Sequence, residues 1–139
     1  MILDPMRQEE FVTSKGKGCT VNGHRARCGD KSSLLGALIG TGGNHAEYAQ
    51  HQSNVYQRML TENAMVRSAG SAALDLAYVA TGRMDGVWFK GLNIWDMAAG
   101  VLMIQETGGL LGDFNGGAGH LQSGDIVAGS PRVFKALAP

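Results

Sequence analysis

Asn93-Ile94-Trp95-Asp96-Met97-Ala98-Ala99-Gly100, continuing through Val101-Leu102-Met103-Ile104-Gln105-Glu106-Thr107-Gly108-Gly109, is an apolar helix with both ends marked. Asn93 is a good N-cap, and Gly108-Gly109 can take the backbone angles that close a helix, so the spacing predicts a helix over 94–107. Ile94, Met97, Ala98, Val101 and Ile104 recur at helical spacing and predict one face held against a core. Asp96 falls at the third helical position, where unpaired N–H groups and the positive end of the helix dipole favour the ionised carboxylate. Two roles fit an acid placed there: a plain helix cap, or a ligand for a metal ion at the edge of the core.

Outward from that helix, strand and helix patterns alternate. Residues 2–13 and 18–28, punctuated by Lys15-Gly16-Lys17-Gly18 and Asn22-Gly23, predict an antiparallel meander with tight glycine turns. Leu34–Thr41 reads as a buried strand. Asn44, with Glu47 three residues on, reads as a capping box opening a helix over 45–62. Met65–Ser68 is a short predicted strand, after which Ser71 caps a nearly all-apolar helix through Ala80 that Gly82 closes. A helix apolar all round belongs between layers. Asp85–Phe89, Leu110–Phe114 and Asp125–Ala128 read as strands, and Pro131 begins a terminal helix. The expected class is therefore α/β, as a layered α/β sandwich. Asn115-Gly116-Gly117-Ala118-Gly119 lacks the Lys-Ser/Thr of a phosphate loop and reads as a flexible surface loop.

Bulk properties narrow the function. A chain of 139 residues suits one domain and can bury roughly 68% of its unfolded surface. Twelve Lys and Arg balance twelve Asp and Glu, and with no basic run to neutralise a phosphate backbone, direct nucleic-acid binding is not expected. The apolar stretches fall far short of the roughly 20 residues that span a bilayer, and Asp4-Pro5 near the start breaks any signal-peptide pattern; a cytoplasmic protein with no membrane role is expected. Cys19 and Cys28 read as free thiols, since a zinc cluster with His24 lacks a fourth ligand. His45, His51 and His120 show no metal-ligand spacing.

Trp95-Asp96 with Ala98-Ala99-Gly100, followed by Glu106-Thr107-Gly108-Gly109, resembles the C-terminal signature of the inositol monophosphatase family, the lithium-sensitive, magnesium-dependent phosphatases related to fructose bisphosphatases. The resemblance runs through Asp4-Pro5-Met6-Arg7, Phe11-Val12-Thr13, Lys15-Gly16-Lys17-Gly18, Val21-Asn22-Gly23, Arg67 to Ala77, and Gly124 to Pro131. It is similar to the bacterial SuhB-type branch and covers the family's C-terminal half only. It implies the inositol monophosphatase / fructose bisphosphatase type of fold, with residues 1–30 as antiparallel strands completing the sheet of a first subdomain and 31–139 as a C-terminal α/β subdomain.

The resemblance also implies chemistry. Asp96 matches the family's metal-ligand aspartate, for Mg2+, and Gly70, Ser71 and Ala72 match the loop that contacts the substrate's hydroxyl groups. The family's other metal carboxylates come from an upstream Glu-Glu segment and an Asp-Pro-x-Asp-Gly-Thr motif. Neither occurs here: Asp4-Pro5 continues as Met6-Arg7-Gln8, so no complete catalytic set is assigned and the chain alone is expected to be inactive. Phe89 stands where many members place a glutamate that bonds the inositol ring, and Trp88 and Lys90 beside it do not restore that acceptor. Asp75, Asp85 and Glu106 are expected on helix or turn surfaces. The implied activity is a phosphomonoester hydrolase acting on a polyol or sugar phosphate, as a homodimer. The alternatives are a non-catalytic protein partner of the transcription antitermination machinery, or a phosphatase for another sugar or nucleotide-derived phosphate.

Overall fold

A computed structural model describes residues 1–43 and 45–138. The meander forms as the glycine turns require: β1 (Ile2–Asp4), β2 (Glu9–Thr13), β3 (Cys19–Val21) and β4 (His24–Ala26) pair antiparallel in that order. Asn22 and Gly23 both have positive φ, 48° and 81°, which matches the turn twist to that of the flanking strands. Asp4 ends its strand by accepting from the N–H groups of Met6 (3.1 Å) and Arg7 (3.2 Å).

The second half alternates as predicted, except that a short helix at His120–Ser123 follows the glycine loop, where none was expected. β5 (Leu38–Gly40) is followed by a 3-10 turn (Ala46–Tyr48), α1 (Ala49–Thr61), β6 (Met65–Arg67), α2 (Ala72–Ala80) and β7 (Gly86–Phe89). Then come α3 (Ile94–Glu106), β8 (Leu110–Gly112), α4 (His120–Ser123), β9 (Ile126–Gly129) and α5 (Pro131–Leu137). These strands form one sheet in the order β6-β5-β7-β9-β8; β6, β5 and β7 run parallel, while β9 is antiparallel to β7 and β8.

Side-chain alternation assigns the layers. Val87, Phe89, Ile126 and Ala128 face α2, α3 and, beyond those helices, Phe11 and Cys19 of the meander. Ile39, Trp88 and Val127 face the other way, onto Met59 of α1 and Val133 and Leu137 of α5. The order is therefore sheet, helix pair, sheet, helix pair, and the nearly all-apolar α2 lies between two sheets as its composition predicted. Gly100 lets the inner helices meet: a Cβ there would fall 2.4 Å from that of Leu76.

Several boundaries differ from expectation. The strand predicted from Leu34 begins at Leu38, because Gly36 (φ 69°) and the Ala37 N–H bond to Leu34 make a turn first. The predicted Asn44 cap lies outside the described residues, and α1 begins only after the 3-10 turn, with no side-chain cap at Tyr48. On α3 the buried face is Met97, Gly100, Val101, Met103 and Ile104, whereas Ile94 and Ala98 are exposed. The three acids expected on surfaces are structural. Asp75 is buried, Asp85 accepts the Leu38 N–H (2.8 Å), and Glu106 accepts the N–H groups of Gly16 (3.0 Å) and Gly18 (2.9 Å). The glycine loop at 115–119 folds around Asp113, whose carboxylate accepts from Asn115, Gly117 and Gly119.

Candidate active site

The three parallel strands end on the same side of their sheet, and the segments that leave them converge. Thr41 and Gly42 follow β5, Gly70 and Ser71 follow β6 and open α2, and Lys90 to Asn93 follow β7 and open α3. Together with Ala72, Phe89 and Asp96 they line a cleft of about 260 Å3. A crevice beyond the carboxyl ends of parallel strands is where α/β sheets hold ligands, and two helix N-termini meet in this one. All four residues singled out from the sequence, Asp96, Gly70, Ser71 and Ala72, border it.

Each is held by local geometry. Asp96 and Asn93 form a reciprocal capping box in which Asp96 Oδ2 accepts the Asn93 N–H at 3.0 Å. The cap reading of Asp96 is thus realised, and among the described residues no donor reaches the carboxylate's other oxygen. Ser71 Oγ accepts the Leu74 N–H at 3.3 Å as an N-cap. Gly70 has φ 90° with open space where a Cβ would stand, so backbone conformation rather than crowding calls for glycine. Phe89, 3% exposed, presents an apolar wall.

The sequence reading missed the polar ring that fixes the cleft's back. Thr41 Oγ1 donates to the Trp88 carbonyl (2.8 Å) and accepts from Gln52 Nε2 (3.0 Å), while Gln52 Oε1 accepts from Trp88 Nε1 (2.9 Å). This closed circuit joins α1, the end of β5, and β7. No local motif announces it, since Gln52 lies in an ordinary amphipathic helix far from Trp88 in sequence. Lys90, beside Phe89, donates from Nζ to Asp125 Oδ2 at 3.1 Å, a partner far along the chain that no local pattern signals.

One carboxylate does not make a site for a hard divalent ion, which takes about six oxygens. Among the described residues no group of three or more His, Cys, Asp or Glu gathers where it could hold a metal. Among the described residues Asp96 is the one carboxylate that borders the cleft.

Fold and cleft define a layered α/β protein that turns two helix N-termini and a carboxylate toward one small ligand space. Residues 1–138 match the inositol monophosphatase family, and the chain belongs to it. It is 48% identical over 141 residues to the Nus factor SuhB of Pseudomonas aeruginosa, covering 99% of this chain and 52% of that protein. It is 41% identical over 139 residues to an inositol-1-monophosphatase of Mesorhizobium japonicum, with the same coverage. The crystal structure of the extragenic suppressor protein suhB from Bartonella henselae superposes with a TM-score of 0.93 at 37% identity, over 97% of this chain and 52% of that one. The chain spans about half the length of the relatives it matches. No helix among the described residues is long and apolar enough to cross a membrane.

Proposed function

We propose that this chain is the C-terminal half of a magnesium-dependent phosphomonoester hydrolase acting on a polyol or sugar phosphate, with Asp96 as one metal ligand and Gly70, Ser71 and Ala72 contacting the substrate. The observation that carries this is the convergence of those four residues, from two separate strand-to-helix turns, on one cleft. Two helix N-termini favour an anion there, and among the described residues only one oxygen of Asp96 takes a hydrogen bond. A magnesium ion needs further carboxylates from outside these residues, so the 139-residue chain alone is expected to release no phosphate. Phe89 offers no acceptor to a ring hydroxyl, which argues against inositol as the preferred alcohol. In this reading the meander of residues 1–30 belongs to a larger sheet of a first subdomain, residues 31–139 form the second, and the protein works as a homodimer.

Asp96→Asn in the full-length protein is the test. Asparagine still accepts the Asn93 N–H, so the fold should hold, while the charge a hard cation requires is lost. Loss of magnesium-dependent phosphate release at a nearly unchanged thermal midpoint is expected. Retained release, with at most a stability loss of about 1 kcal/mol, would leave Asp96 a cap and nothing more.

A second reading is favoured by the names of the relatives. Those called Nus factor SuhB are 45–48% identical, and those called inositol-1-monophosphatase 41–42%. On it, the protein serves as a partner of transcription antitermination proteins through its surface. A non-catalytic partner of this kind would associate yet release no phosphate, and Asp96→Asn would leave the association intact; phosphate release by the full-length protein would count against this reading.

A further inference from the structure

A larger cavity of about 420 Å3 adjoins the small cleft; its lining includes Tyr48, Gln52 and Tyr56, and Gly42, Gly43, His45 and Lys90 border both. Among the described lining residues Lys90 is the one Lys, Arg, Asp or Glu of the larger cavity, and it shares the smaller only with Asp96. Its ammonium is held in place by Asp125 at 3.1 Å and lies 5.4 Å from the centre of the Tyr48 ring and 5.1 Å from that of Phe114. Asp125 borders neither cavity, and its other oxygen accepts the Gly91 N–H at 3.0 Å. An ammonium has three N–H donors; the carboxylate takes one, and ring faces attract the charge without supplying lone pairs. The side chain is 20% exposed, so the remaining donors meet a partly desolvated space where a charge-assisted bond is strengthened. Next to it Phe89 gives neutral hydroxyls nothing to bond.

We infer that Lys90 selects phosphomonoesters whose alcohol half bears a second negative charge, a carboxylate or another phosphate. This rests on the reading of the adjoining cleft as a phosphomonoester site. The ester group lies by Asp96 and Ser71, and the second anion meets Lys90 where the two cavities join.

The test uses two pairs of probes on the full-length protein: glycerol 2-phosphate against 2-phosphoglycerate, and fructose 1-phosphate against fructose 1,6-bisphosphate. Each pair keeps the ester and adds one anion, a carboxylate in the first and a phosphate in the second. Calorimetric binding should favour the member with the second anionic group in at least one pair by about tenfold, the least expected for one added charged hydrogen bond. Lys90→Met, which keeps the stem, should bring that ratio near one, and Lys90→Arg should preserve most of it. Equal binding within both pairs by the unsubstituted protein overturns the inference whether or not the variants fold, and so does a ratio unmoved in folded Lys90→Met. Phosphate release, followed in parallel with magnesium, judges the hydrolase reading separately. Release without charge selectivity removes only the role of Lys90, and selective binding without release removes only the hydrolase.

Discussion

Asp75 is 1% exposed, one of its carboxylate oxygens has no hydrogen-bond partner among the described residues, and burial pushes its pKa up to about 6. Its folded value lies above the unfolded one of 3.8, so between about pH 4 and 6 the folded state holds more protons than the unfolded. Stability therefore falls as pH rises through that window, and above it the full cost of a buried charge is present. Asp75→Asn should raise the thermal midpoint at pH 8, by up to about 3 kcal/mol in stability, and change little at pH 4. Melting curves across that range check it. Ser71→Ala should cost about 1 kcal/mol by removing the cap of α2, read from denaturant midpoints. Of the two, only the cap was legible in sequence. Ser71 acts on an amide three residues away, whereas the burial of Asp75 depends on Gly40 of β5, which leaves room beside its carboxylate. Asp96 was legible for the same local reason as Ser71; Gln52 was not, because both its partners are distant in sequence.

At the level of elements, α3 is tied at both ends and pressed at its middle. Gly100→Ala places a methyl against Leu76 and should cost about 1–3 kcal/mol through overpacking, measurable by chemical denaturation. At the far end Glu106 clasps the turn between β2 and β3. Its pKa is lowered, first by the Gly16 N–H and then by that of Gly18, so this clasp is present above the ordinary carboxylate range and lost as pH falls through the lowered value. Glu106→Ala should speed amide exchange at Gly16 and Gly18 while leaving the β1–β2 amides slow, a pattern hydrogen-exchange NMR resolves. Apart from the short α4, element order and type could be read from periodicity and glycine turns, including the central burial of α2. Strand lengths could not. Leu34 and Phe114 extend the apolar pattern, yet they serve the outer core from turns, and apolarity alone does not separate a strand residue from a buried loop residue.

The whole molecule presents β1 and β4 as edges of one sheet and β6 and β8 as edges of the other, with Leu3, Met6, Leu35, Leu60 and Met65 exposed. Unpaired edges beside bare apolar side chains favour association, so the 139-residue chain should show an apparent mass that rises with concentration in light scattering. A constant monomer mass would mean that these edges are adequately guarded. The two tryptophans divide the molecule differently. Trp88 is sealed in the outer core with its N–H on Gln52, while Trp95 is 76% exposed and adjacent in sequence to Asp96, which lines the cleft. The chain thus carries two separate optical reporters. Iodide should quench the red-shifted emission of Trp95 and spare the blue-shifted emission of Trp88, so ligand arrival and loss of the core can be followed in one cuvette without a label.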